Sequence, residues 1–342
     1  MSVRFSGSIN ARRGITASAP SQQFPWKKKM SSTISANDLT PILVTGSHRS
    51  GTTWVGKMLA ADADTAYISE PLNVLHRPGV FRVPVKYWYT YITEENEAEY
   101  LPAFRELLDF QYHLLLEIKS IRSVKDFLRM GRDFRIFFNG SMHGQRALIK
   151  DPFAVFSTPW FARRLNCRVV VTVRHPAGFV GSLKRLGWNF DFGNFLNQPL
   201  FMRDHLEGDR AAMEAMLKDD IVGQAALLWK IIYRFVHRTS SLFPQFQVVR
   251  HEDLSLDPLG RYRALYNALG LSFTERAQNI ILNSSSSENP ARLARNKTHS
   301  VKLDSRANLD NWKTILSPEE ISRVRKITEG VSESFYSDEE WK

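Results

Sequence analysis

The segment PILVTGSHRSGTTWVGKML (41–59) constrains the fold more than any other part of the chain. An apolar run ends at Gly46, as a buried strand does on meeting a loop. Trp54, Val55, Met58 and Leu59 then recur at helical spacing. The order is strand, glycine loop, helix. The amides of Gly51, Thr52 and Thr53 open the helix, so they point at an anion with the positive end of the helix dipole behind them. Ser50, Thr52 and Thr53 add hydroxyls, and His48 and Arg49 add side-chain donors. A triphosphate-binding loop carries lysine where this chain has Thr52. The strongest cation here, Arg49, sits inside the loop instead. The pattern predicts one 5′-phosphate with something attached, not a magnesium-bound triphosphate.

The rest of the chain repeats the alternation. TAYIS (65–69) reads as a second strand that delivers Glu70 and Pro71 at its end. ALIK, within QRALIKDPF (145–153), reads as a third strand, ended by Asp151-Pro152. CRVVVTVRHP (167–176) is the strongest strand, and its unalternating β-branched run suits a parallel strand buried on both faces. VFSTPWFARRLN and PAGFVGSLKRLGW read as helices, the second with proline in its first turn. A long helix is predicted over about 211–242 and a last strand over FQVVRHEDL (246–254). Helices follow near 258–269, 274–283 and 317–329. This pattern predicts an α/β domain, a parallel β-sheet flanked by helices. We expect residues 1–38 to be a disordered basic tail and 39–342 to be a single domain. Helical inserts are expected at about 72–145 and 189–210.

Composition narrows the ligand. A net charge of +11 favours an anionic ligand or surface. The only dense cationic run, Lys27–Lys29, lies in the tail, and no basic stripe interleaved with aromatics marks a nucleic-acid interface. The nine histidines and the single cysteine, Cys167, show no metal-ligand spacing. One cysteine allows no internal disulfide and suits a reducing compartment. No run approaches a membrane span, and the first 38 residues lack the apolar core of a secretory signal. A cytoplasmic, bacterial protein is expected, with peripheral membrane contact left open.

RSGTTW resembles the 5′-phosphosulfate loop of the sulfotransferases that use 3′-phosphoadenosine 5′-phosphosulfate (PAPS). The resemblance extends along residues 41–317. In VTVRHPAGFVGSLKR, Arg174 ends a strand and Ser182 follows eight residues later, the spacing of that family's 3′-phosphate ligands. SEPL (69–72) is similar to the Glu-Pro of carbohydrate sulfotransferases. Its glutamate, 21 residues after Arg49, also has the spacing of the proposed base of tyrosylprotein sulfotransferases. KDPF (150–153) resembles the lysine-bearing segment of the latter. VVRHEDLSLDP is like the family's YEDL segment, with His251 in place of the common tyrosine. SRANLDNWKTILS (305–317) resembles the segment that closes over the 3′-phosphate, with Arg306 as donor. The histidine base of the cytosolic small-molecule enzymes has no clear counterpart.

The resemblance implies a P-loop-like sulfotransferase fold, PAPS as co-substrate, PAP as product and no metal. Sulfuryl transfer needs in-line positioning, a base for the acceptor and cations for the leaving group. It implies Glu70 as base, Arg49 as leaving-group stabiliser and Lys150 as a second cation. His48, Arg49, Ser50, Gly51, Thr52, Thr53, Trp54, Arg174, Ser182 and Arg306 are the implied donor-binding residues. Trp54 suits either adenine or the core. Burial would favour a neutral Glu70, while Arg49 and Lys150 favour the carboxylate. The acceptor is expected to be a glycan, a glycoconjugate or a small hydroxylated molecule. A peptidyl tyrosine, and outside the family a P-loop kinase, remain the alternatives. The aromatic stretch FRVPVKYWYTY (81–91) either packs the insert or meets the acceptor.

Overall fold

A computed structural model describes residues 39–243, 245–290 and 304–342. The N-terminal tail and the Lys27–Lys29 run lie outside the described residues. Five strands, β1 (Ile42–Gly46), β2 (Thr65–Ser69), β3 (Arg146–Lys150), β4 (Arg168–Val173) and β5 (Phe246–Arg250), form one sheet. Their order is β2-β3-β1-β4-β5, and every pairing is parallel. The chain leaves β1 toward one edge and returns to its other side at β4. That reversal puts a crevice beyond the carboxyl end of β1, where open parallel sheets take their ligands.

Alternation along each strand explains the unbroken apolar runs. Leu43, Ile149, Val169, Val171 and Val173 join the core on one face. Ile42, Val44, Leu148 and Val170 join the core on the other. The second face is covered by α1 (Thr52–Leu59), and Trp54, Val55, Met58 and Leu59 are buried there as their spacing predicts. The insert after β2 is irregular to residue 96. It then forms α2 (Glu97–Leu108), α3 (Leu114–Ser120) and α4 (Val124–His143). A 3-10 turn capped by Asp151 leads into α5 (Thr158–Arg164). The strand-end arginine, Arg174, precedes α6 (Pro176–Leu186), whose second turn carries Ser182.

Two boundaries differ from the sequence reading. The helix expected over 211–242 is broken: a short turn ends at Glu214, and α7 spans Ile221–Ser240. Asp220 caps α7 by accepting from the Gly223 amide, and Arg323 holds the same carboxylate, so the helix starts afresh there. The strand expected over 246–254 stops at Arg250, and α8 (His251–Leu256) begins at once. Acidic Glu252 and Asp253 in its first turn favour the helix. Short helical turns fill residues 193–214, and the longer helices that follow are α9 (Pro258–Leu269), α10 (Glu275–Ser285) and α11 (Pro318–Thr328). No described helix is long and apolar enough to cross a membrane.

Candidate active site

The loop between β1 and α1 is fixed from below. Tyr233 of α7 donates its hydroxyl to the Thr172 carbonyl of β4 and accepts from the Ser47 amide and hydroxyl. Ser50 turns inward to the Ser47 carbonyl and Thr172 Oγ1, each at 2.6 Å. It braces the loop and does not face a ligand. Gly46 has φ 146°, and a Cβ there would lie 2.4 Å from the Thr172 carbonyl oxygen. Gly51 has φ 96° and starts α1. A Cβ on it would lie 2.7 Å from His251 Nδ1. Only glycine fits either place without strain.

Cations converge on this loop. Arg49 Nε donates to Ser182 Oγ at 3.1 Å. The Arg49 carbonyl accepts from Arg174 Nη1 at 3.0 Å. Burial, then the charges of Arg174 and Arg185, lower the Arg49 guanidinium to about 10. Arg174 is lowered as well, first by burial. His48 faces the same space. Its amide donates to the Tyr89 hydroxyl at 3.2 Å, and its Nδ1 lies 2.6 Å from that oxygen. Which of the two donates in that contact depends on the tautomer of the ring. Burial, then Arg49, pushes His48 down to about 3, so the ring is neutral at physiological pH.

Glu70 comes to the site from the end of β2. Its amide donates to the Lys150 carbonyl at 2.8 Å, and its φ is 52°. Lys150 Nζ donates to one carboxylate oxygen, and Asn73 Nδ2 donates to the other at 2.6 Å. The lysine is 2% exposed and the glutamate 24%, so the pair presents its acidic end outward. Asp151, buried beside them, accepts from the amides of Leu72 and Phe153. Burial, then the Glu70 charge, raises Asp151 to about 7.

A cavity of about 680 Å³ joins these groups, within the range of small-molecule sites. His48, Arg49, Gly51, Thr52, Thr53, Trp54, Glu70 and Arg174 line it, as do His251, Ser284, Ser305 and Asn308. The remaining lining is largely aromatic, with Trp88, Tyr89, Phe153, Trp188 and Phe190 beside Asn189, Asp191 and Asn194. Trp54 belongs to the core and also borders the cavity. It packs edge-on against Tyr262 and donates to Ser284 Oγ at 2.9 Å.

A profile of the sulfotransferase family matches residues 41–275. The chain belongs to the sulfotransferase family. This sulfotransferase is similar to the sulfotransferase domain of the Synechococcus PCC 7002 olefin synthase. The two are 17% identical over 91% of this chain and 99% of that one, with a TM-score of 0.44. Mouse sulfotransferase SULT7A1, solved complexed with PAP, is 13% identical over 89% and 87%, with a TM-score of 0.45. Sulfotransferase STF9 from Mycobacterium avium is 16% identical over 86% and 76%, with a TM-score of 0.42. No curated protein sequence matches the chain. As a member of this family the sulfotransferase uses PAPS as its sulfuryl donor and releases PAP.

The fold brings most of the residues singled out from the sequence of this sulfotransferase to one place. Lys150 and Ser182 sit just behind the lining, bonded to Glu70 and Arg49. Ser50 and Arg306 differ. Arg306 is exposed, donates to the Leu256 carbonyl at 2.7 Å and does not line the cavity, whereas Ser305 and Asn308 of the same segment do. The sequence reading did not single out Phe153 or Trp188, and it named Tyr89 only within the stretch 81–91 and His251 only as a replacement for tyrosine. Residues 81–91 divide: Phe81, Val83 and Val85 are core, while Trp88 and Tyr89 reach the cavity. His251 lines the cavity edge-on to Trp54 at 5.6 Å, and its buried Nδ1 has no partner among the described residues.

Proposed function

We propose that this sulfotransferase moves the sulfuryl group of PAPS to a hydroxyl of a carbohydrate or glycoconjugate, with Glu70 as the base. The observation that carries this reading is that Glu70 and the anion-cradling loop line one cavity. The amides of Gly51, Thr52 and Thr53 receive the phosphosulfate, as backbone donors at a helix start suit an anion. Arg174 and Ser182 take the 3′-phosphate, and Trp54 and His251 flank the base. Glu70 removes the acceptor hydroxyl proton as that oxygen bonds to sulfur. The bond from sulfur to the 5′-phosphate oxygen breaks, and the charge gathering on PAP is met by Arg49. Lys150 positions the base through its bond to the carboxylate. His48 is neutral and adds a polar ring to the cavity without adding charge.

The acceptor assignment rests on the aromatic lining. Trp88 and Trp188 offer flat faces for a sugar ring, and Asn189, Asp191 and Asn194 bring groups that match hydroxyls. Buried Cys167, its thiol pushed up to about 12 by burial, fits a reducing bacterial cytoplasm. The test is transfer from labelled PAPS to panels of oligosaccharides, glycolipids, phenols and tyrosyl peptides. Labelled glycans support the reading, and labelling of tyrosyl peptides alone replaces its acceptor part. Glu70→Gln is expected to lower turnover on the order of 100-fold or more while PAP still raises the melting temperature. Near-normal turnover of Glu70→Gln would remove it as base.

A further inference from the structure

The helical hairpin of α3 and α4 stands apart from the cavity and carries a second pattern. Asp133, Phe137 and Gly140 of α4 are buried against the domain. Val124, Phe127, Phe134, Phe138 and Met142, spaced by three, seven, four and four residues, lie along a different side of the same helix, and all five are exposed. Phe127 and Met142 are 57% and 62% exposed. Leu115 and Ile118 of α3 are exposed too. An isolated exposed leucine needs no explanation, but a contiguous strip of this kind marks an interaction surface.

Charge decides what that surface faces. Lys119, Arg122, Lys125, Arg129, Arg132 and Arg135 lie on the hairpin, against Glu117, Asp126 and Asp133. All three acids are already paired: Glu117 and Asp126 with Arg77, Asp133 with Arg132. Lys119, Arg122, Lys125 and Arg135 have no ion pair among the described residues. A two-fold dimer through this face would set cation against cation, because an isologous interface meets itself. The N-terminal 38 residues carry six cations and one acid, so they do not complement it either. An apolar strip bordered by unpaired lysine and arginine matches an anionic lipid surface, where the apolar side chains enter the acyl boundary and the cations meet headgroups.

We propose that the α3–α4 hairpin docks this enzyme on an anionic membrane surface. The hairpin is braced to the irregular segment after β2: Arg77 holds Glu117 and Asp126, two residues after Leu75 on the cavity wall. The test is sedimentation of the full chain with phosphatidylcholine vesicles and with vesicles containing phosphatidylglycerol. We expect at least about tenfold stronger partitioning onto the anionic vesicles, weakened by added salt. The combined Phe127→Ser, Phe134→Ser and Phe138→Ser variant should lose most of it. So should Lys125→Glu with Arg135→Glu, which changes no buried group. In both, the rise in melting temperature caused by PAP should remain, which separates docking from donor binding. No preference for anionic vesicles, or unchanged partitioning of both variants, overturns the proposal. A wild-type dimer in solution that the phenylalanine variant dissociates also overturns it and gives the face to a second copy.

Discussion

Five non-glycine residues among those described hold a positive φ, and Arg49, Glu70 and Tyr89 of the cavity are three of them. Each such conformation costs on the order of 1 kcal/mol and lasts only where neighbours hold it. Here the neighbours are identifiable: Arg174 on the Arg49 carbonyl, the Lys150 carbonyl on the Glu70 amide, and His48 on the Tyr89 hydroxyl. The strained backbone is thus spent on aiming the site. Gly51 is the matching case without a side chain. Gly51→Ala should lower PAP affinity by about tenfold or more and destabilise the fold by about 1–3 kcal/mol, read from calorimetric titration and urea melts. It strains φ and drives a methyl into His251. Arg174→Ala should weaken PAP more than a nucleotide lacking the 3′-phosphate. Equal losses would show that Arg174 acts only by bracing the Arg49 carbonyl.

At the level of elements, α7 reaches under the loop through one hydroxyl. Removing it in Tyr233→Phe leaves the buried Ser47 amide without its acceptor, which commonly costs about 1–3 kcal/mol. We expect that loss in urea melts together with weaker PAP binding, while Tyr262→Phe, whose buried hydroxyl has no partner among the described residues, should cost little. The elements also show what a sequence reveals. β1 and β4 were readable because burial on both faces demands unbroken apolar residues. The Gly46–Thr53 loop was readable because its chemistry is local to eight residues. The end of β5 was not: VVRHEDL continues without glycine or proline, and only the acidic first turn of Glu252 and Asp253 favours a helix there. Tyr89 and Trp188 were hidden for another reason. Their partners His48 and Phe153 lie far along the chain, and nothing in a run of aromatics says which one closes a cavity.

For the molecule as a whole, buried titratable groups set the response to acid. His48, His175 and His251 are each pushed from 6.5 to about 3, chiefly by burial. His175 is enclosed by Trp312, Tyr336 and Trp341, with neither ring nitrogen partnered among the described residues. These rings stay neutral when folded and take up protons when unfolded, so their stabilisation is complete above 6.5 and is lost as pH falls toward 3. Asp151 works the other way, since its value rises from 3.8 to about 7 and folding retains its proton. Between about 4 and 5.5 these four groups together make unfolding take up a net of about two protons. Stability should therefore fall by about 3 kcal/mol per pH unit over that range, checked by urea melts at successive pH values. A flat profile would contradict the burial of the three rings. The bond between Arg49 and Ser182 joins segments separated by 133 positions, and it has a consequence for selectivity. On the proposed donor site, Arg49 serves the 5′ end and Ser182 the 3′-phosphate, and the bond between them holds the two ends at a fixed separation; a mononucleotide such as AMP then engages one end only.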